Sequence, residues 1–581
     1  MSFLNIDPGV DSDDAFFNAF DQEIQKKKKE KPDPEPRDPR KQKTRPHDHI
    51  PDVQVIDAPA FSITNPSETW ETTVSEYCFP LTLEATVALV KLTETENKKV
   101  RAIGQRHSFS QTCLTDGAFI DLSKAHPYNP KKHNDTVDKL DQSSLSLLKD
   151  DVDARNYFDV PGGMQIFMIN KILCPEHKGD KVLGGMRRRM FNMGGGDVQS
   201  FAGAFSTGTH GSGGIHSAYH DMVRSILLVA GDGKVYRIEP ENGLTDPSKH
   251  AQFYDSRIEL IQNDDKFYSA LVSFGCFGVI YSAIIETKPM VFLHKEIIYQ
   301  SGGWSEQVIK TTIDLVMSSL KDREEIFHFL YFNPYPVGDN LHPSYLTKTL
   351  TVVENEEKVE GKDENIQKWP AAYTKWPWVG DFIRILTNHK LSPPRRLIES
   401  VLKMQRKDNG RRDLAYRIWN AGTSGRLMTI GTGIEFAFPV EEVPEILKSI
   451  TAHLNQIGNQ DRGFYVNGPI ALRFVRASKA FLAPNCAKFK TKEYDWWCFI
   501  EIVRINSSDR EADKREMELY KHLQKIQATK GRPHWGLNFE FPFDLNFLKE
   551  NYPDIDKWIA AKHFFDPKGA FESRFVELCL E

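Results

Sequence analysis

Three stretches of this chain carry residue types that can do chemistry, and they lie far apart. The first is Gly104-Gln105-Arg106-His107-Ser108, entered through the β-branched Val100 and Ile103. An apolar strand that empties into a glycine turn leaves several main-chain N–H groups free, which makes an anion cradle with the His107 imidazole beside it. Alone, such a turn is as readily the solvated end of a strand. The second stretch runs from Phe191 to Gly214 and is dense in glycine and small hydroxyl residues. Its glycines allow a pyrophosphate to approach the main chain, with Ser206, Thr207 and Thr209 as extra donors. The third is the tail, with Gly531-Arg532-Pro533-His534-Trp535-Gly536 and Phe565-Asp566-Pro567-Lys568-Gly569-Ala570-Phe571.

Taken together, these motifs resemble the vanillyl-alcohol-oxidase (PCMH-type) flavoproteins, and more narrowly their sugar-1,4-lactone oxidase branch, with alditol oxidase as a cousin. The resemblance covers residues 65–290 well, 440–581 moderately and the middle poorly. It implies an FAD held by Ile103, Gly104, Gln105, Arg106, His107 and Ser108 on one side. Gly196, Asp197, Ser200, Gly203, Ser206, Thr207, Thr209, His210 and Gly211 hold it on the other, and the Gly278-Val279 main chain lies along the adenine. It also implies a covalent bond from His107 to the flavin, which would tune and orient a group that itself carries the redox step. His210 is read as a main-chain neighbour of the phosphates rather than a catalyst.

The same resemblance sets expectations for the substrate side. Oxidising an alcohol by hydride transfer to flavin N5 needs a base for the hydroxyl proton and a cation for the developing oxyanion. The branch uses a Glu-x-Arg pair on a cap strand and the lysine of His-Trp-x-Lys. Here Ala471 and Arg473 share a strand face ~6.6 Å apart, so the arginine is kept and the glutamate is missing. Leu537 stands where the lysine belongs. The catalytic expectations are Arg473, Glu501 as a stand-in carboxylate, and His534 as base or flavin-side hydrogen bonder. The two apolar replacements point to a less polar substrate alcohol or another two-electron oxidation.

The elements that must position these groups follow from pattern. A helix through Leu83, Val87, Leu89 and Val90 precedes the strand Val100–Ile103, a βαβ-like unit. Ser225–Ala230 and Val235–Ile238 flank Gly231-Asp232-Gly233-Lys234, a hairpin signal. The fold class expected is α+β: a bilobal PCMH-type FAD-binding domain at 65–290, an antiparallel-sheet cap or substrate domain at 291–543, and a C-terminal segment, 544–581, returning to the first.

Residues 1–64 read as a largely flexible extension. Phe16, Phe17, Phe20 and Ile24 share a helical face that wants a covering partner, and a Lys/Pro-rich linker runs through Arg45-Pro46. The aromatic, basic stretch 369–396 reads as an irregular connection or a peripheral membrane contact.

The 581 residues suffice for more than one core. A net charge of -5 gives no global sign of nucleic-acid binding. No apolar run is long enough to span a bilayer and no signal peptide opens the chain, so a cytoplasmic protein is expected. Seven scattered cysteines read as reduced thiols. His47-Asp48-His49 lacks further ligands, and no metal is expected.

The function expected is an FAD-dependent oxidase of CH–OH groups, with an alcohol and oxygen as partners and hydrogen peroxide as product. The alternatives are a dehydrogenase with another acceptor, and a flavin-binding protein without turnover that acts as a structural or regulatory partner.

Overall fold

The computed structural model describes residues 45–47, 50–56, 61–67, 69–126, 140–175, 186–213, 218–301, 305–335, 344–353, 394–420, 431–458, 466, 468–505, 510–537 and 543–580. The expected helix at 16–24, the lysine run at 26–29 and nearly all of the 369–396 stretch lie outside them. Residues 45–581 form one compact unit.

The first sheet is built from β1 (Ile50–Ile56), β2 (Glu76–Pro80), β3 (Val100–Ile103) and β4 (Ala118–Asp121), with a short edge strand Arg45–His47 beside β1. Regular structure is thus present within the stretch read as linker and extension. Val53 and Val55 are buried, and β1 pairs antiparallel with β2, so regular structure begins well before Ile63. Helix α1 (Leu83–Thr95) is opened by the Thr82 side chain accepting from the Ala85 N–H and buries Leu89 and Val90. It crosses from β2 to β3, both of which pair in parallel with β4 between them.

The second sheet comprises β5 (Tyr157–Pro161), β6 (Val223–Ala230), β7 (Val235–Glu239), β8 (Glu259–Gln262) and β9 (Gly278–Glu286), in the order β8-β7-β6-β9-β5. The β6–β7 hairpin closes as its Asp-Gly turn suggested: the Ala230 N–H donates to the Lys234 carbonyl at 2.9 Å, with Gly233 at φ +73°.

The third sheet has eight antiparallel strands. They are β10 (Phe292–Gln300), β11 (Ile326–Phe332), β12 (Tyr345–Val353), β13 (Arg412–Leu414), β14 (Gly431–Pro439), β15 (Ile470–Arg476), β16 (Trp496–Ile505) and β17 (Arg532–Pro533), ordered β13-β10-β12-β11-β15-β16-β14-β17.

Register decides which face of this sheet does what. Phe332, Ile470, Ile502 and Ile434 fall in one cross-strand row, and Leu330, Leu472, Ile500 and Phe436 in another. Both rows are apolar and buried in the main core with the inner stripe of helix α3 (Glu306–Asp322), Ile309, Ile313, Val316 and Leu320. The row between them, Tyr331-Ala471-Glu501-Glu435, therefore points to the opposite face. Phe329-Arg473-Phe499-Ala437 follows on that same face.

Candidate functional site

The loop after β3 is clamped by partners that its own sequence does not announce. Trp70 Nε1 and Asn65 Nδ2 each donate to the Ser108 carbonyl at 3.0 Å, and Thr69 Oγ1 donates to the Phe109 carbonyl at 2.9 Å. Arg106 takes the left-handed region at φ +60° and sends its guanidinium to the Thr64 carbonyl at 3.1 Å. Ile103 is buried at the end of β3. The Nε2 of His107 is buried and has no hydrogen-bond partner among the described residues. Burial pulls its pKa down to about 4, so the ring is neutral near pH 7.

The glycine-rich stretch meets this loop side by side. A Cβ at Gly104 would stand 1.9 Å from Ser200 Oγ, so only glycine fits there. Ser200 begins the short helix α2 (Phe201–Ser206), whose Gly203 also faces Ser200 Oγ. Gly196 lies against the Gln199 side chain. Ser206 is buried and its carbonyl accepts from the Phe274 N–H. Three further residues of the stretch have partners within the protein. Asp197 is buried and accepts from Asn420 Nδ2 at 2.7 Å, Thr207 Oγ1 turns back to the Gly203 carbonyl at 2.9 Å, and the Thr209 N–H donates to Ala204. Gly278 and Val279 start β9 opposite Ala230 and Val229, with Val279 packed among Val100 and Leu89.

The stretch then docks on the third sheet. The Gly213 N–H donates to the Phe474 carbonyl, and Ser212 Oγ donates to the His328 carbonyl and accepts from the Phe474 N–H at 3.0 Å. Gly213 sits at φ +75°, where a Cβ would meet the Ile326 carbonyl at 2.5 Å, so glycine is required twice over. Gly211 lies tight against Asn192.

The His210 side chain enters the sheet's charged face. Its ring stacks on Phe499 at 3.6 Å and its Nε2 meets Glu435 Oε2 at 3.2 Å. Glu435 was not anticipated from sequence. It is 2 % exposed, and its other oxygen lies 3.4 Å from the Arg473 guanidinium, which also pairs with Glu501. The three sequence-named residues Arg473, Glu501 and His534 thus gather around Glu435. The His534 N–H donates to the Glu435 carbonyl at 2.9 Å, and the His534 ring lies 5.5 Å from that of His210.

Glu501 stands directly opposite Ala471 in register, on the next strand. Glu435 lies directly opposite Glu501 on the other side.

Two carboxylates sharing one guanidinium are driven apart in acidity. Burial would raise the Glu435 carboxyl, but His210 and Arg473 outweigh it and hold it down at about 2. Burial and the facing Glu435 push Glu501 up, against the pull of Arg473. Burial lowers His534 to about 3, leaving a neutral imidazole. The Gly536 N–H donates to His534 Nδ1 at 3.2 Å, which puts the ring proton on Nε2. Ligand atoms of His210, Glu435 and His534 lie within 4.8 Å of one another, the donor set of a cation site. The adjacent Arg473 guanidinium already supplies positive charge there, which opposes a second cation.

The tail joins cradle and sheet. The Phe109 N–H donates to the Gly536 carbonyl at 2.9 Å, and Ser110 Oγ donates to the Trp535 carbonyl. A Cβ at Gly536 would meet Thr207 Oγ1 at 3.1 Å. The His107 loop, the end of α2 and His534 thus converge on one place. Asp566 accepts from the Ala570 and Phe571 N–H groups at 2.9 Å each, folding the other tail motif into a turn whose Ala570 carbonyl receives the Val100 N–H.

Residues 351–578 match the family model of D-arabinono-1,4-lactone oxidase. An L-gulono-1,4-lactone dehydrogenase of Mycobacterium tuberculosis is 23% identical over 486 residues, 83% of this chain and 90% of that protein. The L-gulonolactone oxidase of Bos taurus is 21% identical over 512 residues, 86% of this chain and 94% of its own. The chain is lactone-oxidase-like. Its fold is that of cholesterol oxidase from B. sterolicum, at a TM-score of 0.60 and 11% identity over 92% of this chain and 99% of that one. No helix among the described residues of this lactone-oxidase-like chain is long and apolar enough to cross a membrane.

Proposed function

We propose that the chain is an FAD-dependent oxidase of a CH–OH group, with oxygen as electron acceptor and hydrogen peroxide as product. In this reading the two smaller sheets hold the cofactor and the eight-stranded sheet caps the substrate. The observation that carries it is the buried Glu435-Arg473-Glu501 cluster, set on a sheet face that the His534–Gly536 turn ties directly to the His107 loop.

The residues fit FAD: a buried imidazole nitrogen without a partner at His107, and close main-chain approach at Gly104, are what a tethered flavin with its pyrophosphate requires. Bound there, FAD supplies the two-electron acceptor.

The chain's own groups then divide the remaining work. Glu501, whose basicity burial raises against the pull of Arg473, is placed in its ionised form to accept the substrate hydroxyl proton. Arg473, locked between two carboxylates, presents fixed positive charge to the oxygen as it becomes anionic. His534 donates from Nε2 rather than acting as a base, because its Nδ1 lone pair is already engaged. Glu435 stays ionised and orients both His210 and Arg473.

Anaerobic mixing of the holoprotein with D-arabinono-1,4-lactone or L-gulono-1,4-lactone should bleach the flavin band, and admitted air should restore it. A panel of lactones, alditols and simple alcohols that leaves the band untouched overturns the reading. Bleaching that air fails to reverse, while an artificial acceptor reverses it, establishes the dehydrogenase reading, which the mycobacterial relative's name supports.

A further inference from the structure

Leu537 removes the lysine that the lactone-oxidase branch carries, yet the site has another. Lys348 on β12 is the register partner of Phe329 on β11, and Phe329 is the register partner of Arg473. All three side chains therefore stand on the face that bears the Glu435-Arg473-Glu501 cluster. Lys348 Nζ lies 3.9 Å from the centre of the Phe329 ring and 3.4 Å from Tyr331 Oη. Tyr331 in turn is the register partner of Ala471, the position whose carboxylate is missing.

The ammonium has no carboxylate partner among the described residues. Asp408, the nearest acidic influence, is paired with Lys295 instead. A cation–π contact offsets only part of the cost of withdrawing an ammonium from water. A side chain placed in this way gains most when an oxygen-bearing ligand completes its hydrogen bonds.

We propose that Lys348, standing on the same sheet face as the Glu435-Arg473-Glu501 cluster, binds a second oxygen of the substrate together with Tyr331. This deepens the oxidoreductase reading and rests on it. The site then takes a polyoxygenated alcohol or lactone, with one oxygen at Arg473 and Glu501 and another about two strand spacings away along the sheet, ~10 Å. A monohydroxylated apolar alcohol leaves Lys348 and Tyr331 unsatisfied and is rejected.

The groups facing Lys348 are Tyr331 from β11, Lys295 from β10, Arg473 from β15 and Asp408 from the turn before β13. Burial, reinforced by Arg473, brings the Lys348 ammonium down to about 8, so its charge is lost under mildly alkaline conditions. Lys295 titrates in the same range, also brought to about 8 by burial. A Lys348→Arg protein keeps Lys295 while holding its own charge, and so separates the two.

The test is anaerobic flavin reduction and calorimetric binding of L-gulono-1,4-lactone, on wild type, Lys348→Met and Lys348→Arg holoproteins at neutral and mildly alkaline pH. Lys348→Met should raise the lactone KM and Kd about ten- to a hundredfold. Wild type should lose a similar factor on alkalinisation, and Lys348→Arg should hold its neutral-pH affinity in alkali. A Lys348→Met protein with wild-type KM, Kd and pH profile overturns the proposal while the oxidoreductase reading stands. So does reduction of every version by cyclohexanol and of none by the lactone. Reduction by neither overturns both.

Discussion

The cradle around His107 and the charged face of the eight-stranded sheet meet at His534, but they are built from opposite materials. The cradle depends on what is missing: the side chain absent at Gly104 lets the His107 loop press against Ser200. The sheet face depends on what is opposed: Glu435, Glu501 and Ala471 are neighbours only because three strands are in register. A cofactor shared by many proteins can be gripped by a constant backbone shape, whereas a substrate is met by side chains that can move from strand to strand while the pocket keeps its chemistry. In the proposed reading, the carboxylate at Glu501 opposite Ala471 is such a relocation.

If the cradle and the sheet face really divide the labour in this way, variants in each should fail differently. His107→Ala should leave the denatured protein colourless while wild type stays yellow after precipitation, with a mass difference equal to the flavin. Colour retained by the variant places the linkage elsewhere. Arg473→Met should keep its yellow colour yet lower the anaerobic reduction rate by about 10²–10³-fold. Loss of flavin instead would merge the two regions into one. Gly213→Ala, at the seam, should cost about 3 kcal/mol of stability in denaturant titrations. A cost near zero would show that the seam yields.

A change of pH acts on both regions more gradually. Burial holds His534 at about 3 and His328 at about 4 in the folded chain. The unfolded chain takes up those protons below about 6.5 while the folded one does not, so stability falls as pH drops through that window. The slope is about 1 kcal/mol per pH unit for each ring. Denaturation midpoints that do not move between neutral pH and the approach to those folded values would show both rings to be hydrated.

The loops were legible because glycine and histidine at short spacing report directly on a local turn. The βαβ unit and the Asp-Gly hairpin were legible for the same reason, since period and turn chemistry are local. Arg473 and Glu501 could be paired from alternation alone, because both lie on strands that read cleanly. Glu435 could not. It sits within Gly431–Pro439, where glycine and aromatics blur the alternation, and its role depends on a register that no single strand encodes. Lys348 was hidden likewise, three strands away from Glu501 in the sheet order. The ring partner of His210 was hidden in the same way, because the docking of Ser212 and Gly213 on β15 is what carries it to Glu435. The strands before residue 64 were masked by the charged, proline-rich run that leads into them.

Arg101, on β3 just before the His107 loop, is 1 % exposed and has no carboxylate among the described residues. It donates to the carbonyls of Thr112, Phe274, Gly275 and Phe571, the last only ten residues from the end of the chain. Until Phe571 arrives, this guanidinium lacks one of the acceptors that make its burial tolerable. Flavin capture should therefore wait for the segment that carries Phe571, and a chain cut just before Phe571 should be colourless.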